Sequence, residues 1–147
     1  MPHPLETYLT ELRSTHLLRA ATDETSGYPA LKALLDAAGE GLKPKVRCVI
    51  QLANRGAGLP DGGLFTAEQF RRADGGGWPQ GQAPARGAIE AKKVGDDLEG
   101  LIGSPQVRRY LEEYGLLLLT NYRQFQLLSS DGSGDTRRLE GFNLISS

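Results

Sequence analysis

At 147 residues the chain is long enough for one hydrophobic core and short for two. Its 39% hydrophobic and 24% charged residues exclude a low-complexity or disordered class. A formal net charge of −1 argues against a freestanding, strongly basic binder of polyanions, so any such contact must come from a local basic face or a neighbouring domain. The single cysteine, Cys48, permits no internal disulfide, and no Cys/His cluster suggests zinc, which suits a reducing cytoplasm. The N-terminal MPHPLETYL has no charged region followed by an apolar one, and no apolar run is long enough to span a membrane.

In chain order, Leu5, Leu9, Leu12 and Leu17 recur at helical spacing and predict a helix from Leu5 to Arg19. A second helix is predicted from Glu24 to Ala38, with Tyr28, Leu31, Leu34 and Leu35 on one side. Pro29 falls in its first turn, Thr22 or Asp23 is its expected cap, and Gly39 and Gly41 its stop. Lys45 to Asn54 reads as an apolar, β-branched strand, and a short strand from Gly63 to Phe65 follows the turn at Arg55–Pro60. Residues 67–72 allow one helical turn. The stretch 73–85, rich in Gly and Pro and holding Trp78, is expected to be a mobile loop.

Arg86 to Lys93 reads as a strand that becomes charged as it leaves the core. Asp96 to Tyr114 is predicted helical in two pieces, the second starting at Ser104 as cap with Pro105 at its first position. Gly115 ends it. LLLLT must be a strand covered on both faces, NY a tight turn, and RQFQLLS the returning strand. RRLEGFNLI is a candidate last strand. The expectation is a mixed α/β sandwich with a sheet of about four to five strands.

Three pieces carry chemistry: Pro60-Asp61-Gly62, Glu90-Ala91-Lys92, and Gln106-Val107-Arg108-Arg109-Tyr110. On a strand, positions i and i+2 share a face, so Glu90 and Lys92 project together while Ile89 and Ala91 face the other way. A carboxylate beside an ammonium, with a second carboxylate at Asp61, suits a divalent cation plus a group that handles a proton. Each piece also has a plain reading. Pro-Asp-Gly is a common turn string, and Glu90 with Lys92 could be a solvated strand end. Gln106 could be a surface residue and Tyr110 core packing. His3 and His16 lack partner spacing for a ligand role, Cys48 reads as buried filler, and Trp78 as packing.

In combination, these residues resemble the PD-(D/E)xK nuclease superfamily, with Pro60-Asp61 and Glu90-Ala91-Lys92 as the signature and QVRRY similar to the Gln-x-x-x-Tyr motif of RecB-like members. The segments ETSGYPALKALLDAAGEGLKPKV, GLPDGGLF, RGAIEAKKVGDDL and QVRRYLEEYGLLLLTNYRQFQL are similar to the N-terminal nuclease domains of large restriction-modification proteins, across roughly residues 22–128. The loop 71–86 is a long, Gly-rich departure. The resemblance implies a restriction-endonuclease-like fold and Mg²⁺-dependent (or Mn²⁺-dependent) hydrolysis of DNA. It implies Asp61, Glu90, the Ala91 carbonyl and Glu24 as metal ligands, Lys92 as catalytic, and Gln106 as an active-site accessory. Glu24 is equally readable as a first-turn helix acid. Lys93, Arg108 and Arg109 would meet phosphates. The domain would span residues 1–147 as the N-terminal part of a restriction or phage-defence protein, with a methyltransferase and target-recognition region following in the same chain. Two rivals are a catalytically inactive nuclease-like module for DNA binding or assembly, and a standalone nuclease for repair or branched DNA.

Overall fold

A computed structural model describes residues 3–14, 27–50, 60–71, 84–133 and 135–144. Its elements run α1 (Pro4–Ser14), α2 (Tyr28–Glu40), β1 (Val46–Ile50), β2 (Gly62–Thr66), α3 (Ala67–Arg71), β3 (Ala88–Ala91), α4 (Pro105–Tyr114), β4 (Leu116–Thr120), β5 (Gln124–Ser130) and β6 (Thr136–Asn143). No helix among the described residues is long and apolar enough to cross a membrane.

The six strands form one sheet in the order β1-β2-β3-β4-β5-β6. All neighbours are antiparallel except β3 and β4, which run parallel. A parallel pair needs a long crossover, and residues 92–115, ending in α4, provide it. Two hydrophobic layers sandwich the sheet. On one face α1 and α2 contribute Tyr8, Leu12, Ala30 and Leu31 against Cys48, Ile89 and Ala91. On the other, Val107, Tyr110 and Leu111 of α4 pack on Ala88, Leu117, Leu119 and Leu128. The leucine run of β4 serves both faces, with Leu117 and Leu119 toward α4 and Leu118 against the α1/α2 layer.

Three sequence expectations need correction. The sheet has six strands, not four to five: β6 is exposed along nearly its whole length, so no burial period marks it, and backbone pairing to β5 holds it instead. A bulge at Leu127/Leu128 interrupts that pairing. Helix α2 is described from Tyr28, with Gly27 as its cap and Pro29 in its first turn; Glu24 and the expected caps Thr22 and Asp23 lie outside the described residues. Gly39 lies inside α2, and only Gly41 caps its end. Residues 96–104 form turns rather than a helical piece; Leu98, buried in the α4 layer, anchors them. Other expectations match. Ser104 accepts the Val107 N–H with Pro105 next, and Gly115, at φ 82°, ends α4. Residues 15–19 of the first predicted helix, His16, and residues 73–83 with Trp78 lie outside the described residues. Of the predicted loop, Pro84 is buried and the Ala85 N–H donates to Gln69 Oε1 at 3.2 Å.

At Gly39, α2 lies close against β1, for a Cβ there would collide with the Val46 carbonyl oxygen. In an ordinary helix interior, Gly→Ala stabilises by about 1 kcal/mol. Here the sign reverses, and Gly39→Ala is expected to destabilise by about 1–3 kcal/mol through overpacking. Urea unfolding checks this, and a higher denaturation midpoint for the variant would refute the close packing of α2 on β1.

Candidate active site

Asp61 lies immediately before β2. Gly62 pairs with Ile89 of β3, and extending that antiparallel register by one step sets Asp61 opposite Glu90. Gly62 also pairs with Ile50 of β1. A Cβ on it would come 2.5 Å from the Val49 carbonyl oxygen, so a side chain would push β1 away from the strand that carries Asp61. Reciprocal hydrogen bonds then lock the two acids together. The Asp61 N–H donates to Glu90 Oε1 at 3.3 Å, and the Ala91 N–H donates to Asp61 Oδ2 at 2.7 Å.

Glu90 occupies a strand buried at every position and is itself 5% exposed. Ile89 and Ala91 point into the α1/α2 layer. Glu90 points the other way, with Lys92 Nζ 3.2 Å from its Oε2. The Lys92 backbone is fixed too, since its N–H donates to the Thr120 carbonyl at 2.7 Å, one step past the β3–β4 ladder. Lys92 Nζ further donates to Gln106 Oε1 at 3.4 Å, and Gln106 Nε2 donates to the Tyr110 hydroxyl at 3.3 Å. Gln106 and Tyr110 are four apart, hence on one helical face. The Ser104 cap and Pro105 start α4 so that this face meets β3.

Burial, and next the negative charge of Asp61, push the Glu90 carboxyl up to about 7; Lys92 offsets part of the rise. Burial first and the Glu90 charge second also raise the Tyr110 phenol. Two carboxylates held this close repel each other, and a bound cation would relieve that repulsion. The donors are all oxygens, which suits a hard divalent ion; Mg²⁺ is typically held by one or two carboxylates and keeps several waters. Among the described residues, no group of three or more His, Cys, Asp or Glu comes together as a metal site. Asp61 and Glu90 therefore supply two carboxylates, and Glu24 lies outside the described residues.

Thus Asp61, Glu90, Ala91, Lys92 and Gln106 come together. Lys93 is exposed in a turn, where its N–H donates to Asp96 Oδ2 at 3.3 Å. Arg108 lies about 200° around α4 from Gln106 and pairs with Asp135 at 3.7 Å. Exposed Arg109 is nearer, its guanidinium 5.6 Å from the centroid of the Tyr110 ring. His3 caps α1 by accepting the Leu5 N–H at 3.1 Å. The Cys48 thiol is buried and pushed up to about 12, first by desolvation, and so stays protonated at neutral pH.

Two contributors escaped the sequence reading. The Tyr28 hydroxyl donates to Asp61 Oδ1 at 3.0 Å; in the sequence Tyr28 shows only as an apolar helix position, because its partner is 33 residues away. Asn121 accepts the N–H groups of Arg123 and Gln124 and donates to the Asp96 carbonyl at 2.9 Å. It ties the β4–β5 turn to the segment after Lys92. The short string NY signals the turn but not that long-range bond.

No protein-family model matches the sequence, and no curated protein matches it. Among solved structures, the fold is similar to that of a chain in the cryo-electron-microscopy structure of the DrdV–DNA complex, with a TM-score of 0.61 and 18% identity. The match covers 96% of this chain and 12% of that chain, so the present chain spans a small part of its structural neighbour. At this identity the likeness is one of fold.

The state of Glu90 predicts a pH signature in the metal-free protein. Its folded pKa of about 7 lies above the ordinary 4.5, so the folded state holds the proton more tightly than the unfolded chain. Stability from this group is therefore full below the ordinary value and is lost as pH rises through the folded value. Glu90→Gln is neutral throughout. Relative to it, the wild type should lose stability between about pH 4.5 and 7 and level off above. Urea midpoints of both proteins across that window test this, and parallel curves would count against it.

Proposed function

We propose that the protein is a Mg²⁺-dependent endonuclease of the PD-(D/E)xK type that hydrolyses DNA phosphodiesters, with Mn²⁺ as a working substitute. The observation that carries the reading is the reciprocal locking of Asp61 and Glu90 with Lys92 on the same face, where Asp61 meets the other two only through the fold. A structural neighbour solved as a DNA complex supports it. The further proposal, a nuclease part of a larger restriction protein with methyltransferase and target-recognition regions, rests on the sequence resemblance. It accords with the greater length of the structural neighbour.

In this reading Asp61, Glu90 and the Ala91 carbonyl hold the cation, with Glu24 as the completing acid. The bound ion supplies a more acidic water and neutralises charge on the phosphate. Lys92 provides the second cation at the site, to orient the attacking water and to stabilise the charge that builds on the phosphate oxygens. Gln106 holds the Lys92 ammonium, and Tyr110 holds Gln106. Arg109, Lys93 and Arg108 are proposed to meet the DNA backbone. With so few cations to spare, the isolated chain should bind DNA weakly and with strong salt dependence.

The test is cleavage of plasmid DNA with Mg²⁺ or Mn²⁺, paired with metal binding by calorimetry. Asp61→Ala and Glu90→Ala should lose both cleavage and metal binding, since each deletes a ligand and little core volume. Lys92→Ala should keep metal binding and lose roughly 100-fold or more in rate. Wild-type cleavage by Glu90→Ala or Lys92→Ala would overturn the assignment.

A further inference from the structure

We infer that Tyr28 is a positioning residue of this site, its hydroxyl orienting the Asp61 carboxylate for a divalent cation; the inference rests on the metal-dependent reading above. Tyr28 is the first residue of α2, in the layer on the far face of the sheet from α4. Its hydroxyl donates to Asp61 Oδ1 at 3.0 Å, while Asp61 Oδ2 accepts the Ala91 N–H at 2.7 Å. The terminal torsion of an aspartate is broad and roughly two-fold when free. Two donors on different oxygens remove that freedom. An ionised carboxylate offers about four acceptor positions, so both oxygens keep capacity for a cation after these two bonds. Residues that hold a metal ligand by hydrogen bonds in this way set its direction and so the affinity of the site.

The hydroxyl is held in place by more than its own helix. Gly27, the cap of α2, lies against the Tyr122 ring, so the helix starts directly on the β4–β5 turn. Tyr122 is 1% exposed and has φ 74°, and its carbonyl accepts the Tyr8 hydroxyl at 2.9 Å. The Tyr122 N–H donates to Thr120 Oγ1 at 2.9 Å, and the Thr120 carbonyl receives the Lys92 N–H. One turn therefore sets both Lys92, through the backbone, and Asp61, through Gly27 and Tyr28. The Tyr28 ring belongs to the rim of the α1/α2 core, which separates its packing from the work of its hydroxyl.

Tyr28→Phe keeps the ring and removes only the hydroxyl. The expected result is a rise of roughly 10- to 100-fold in the Mg²⁺ or Mn²⁺ concentration for half-maximal cleavage and in the metal Kd by calorimetry. Cleavage should recover in part at high metal, and thermal unfolding of the metal-free protein should stay close to wild type. Wild-type metal dependence in Tyr28→Phe, with Asp61→Ala inactive, would overturn the inference and leave the nuclease reading standing. Loss of thermal stability at unchanged metal affinity, or a variant that no longer folds, would assign Tyr28 to the core and overturn it too. A wild-type protein that neither binds the metals nor cleaves DNA would remove the nuclease reading, and this inference with it.

Discussion

Two carboxylates that meet in a largely dry place repel each other, and the arrangement around Asp61 and Glu90 answers that repulsion. The β2–β3 register forces them together, and burial raises the Glu90 carboxyl to about 7. The Asp61 N–H donates to the Glu90 carboxylate, the Ala91 N–H donates to the Asp61 carboxylate, and Lys92 adds a positive charge. A fold would not concentrate negative charge in this way for stability alone, because replacing such buried charge by apolar packing is often neutral or better. Buried acids with a raised pKa, such as Glu90, cluster at functional sites.

The rest of the structure serves to hold that geometry. Strand β3 is antiparallel to β2 and parallel to β4, and the antiparallel β2–β3 pair sets the two acids on facing strand ends. The long crossover required by the parallel pair brings α4 over the same face, and with it Gln106 and Tyr110. The β4–β5 turn is a second organising point. Asn121 closes the turn on itself and reaches to Asp96, while Thr120 carries the Lys92 backbone. Helix α2 abuts the same turn and extends Tyr28 to Asp61. Asp61, Glu90 and Lys92 are thus each supported from an element distant in sequence.

The charges expected to face DNA are less uniformly placed. Arg109 borders Tyr110, whereas Arg108 is engaged by Asp135 on another side of α4. Consecutive residues on a helix point about 100° apart, so adjacent arginines approach a cleft from different sides. With a net charge of −1, this division fits a chain whose grip on a polyanion is modest.

What the sequence alone determined is what local physics controls. The cap at Ser104, the proline after it and the glycine at 115 mark α4 without tertiary help. Four leucines in a row require a strand covered on both faces, and in β4 Leu117 and Leu119 are buried on one face and Leu118 partly buried on the other. The two-residue period places Glu90 and Lys92 on one side of β3, away from Ile89 and Ala91. Other features had no local signature. The contact of Gly27, at the head of α2, with the Tyr122 ring and the pairing of the exposed strand β6 with β5 are both tertiary. The approach of Asp61 to Glu90, the hydroxyl of Tyr28 on Asp61, and the bond from Asn121 to Asp96 join residues 25 or more positions apart. Chain closure over such separations is set by sheet register and layer packing, and a periodic pattern within one element carries no information about its neighbour's register. The types of residue needed for the chemistry are therefore written in the sequence, whereas their convergence is a property of the fold.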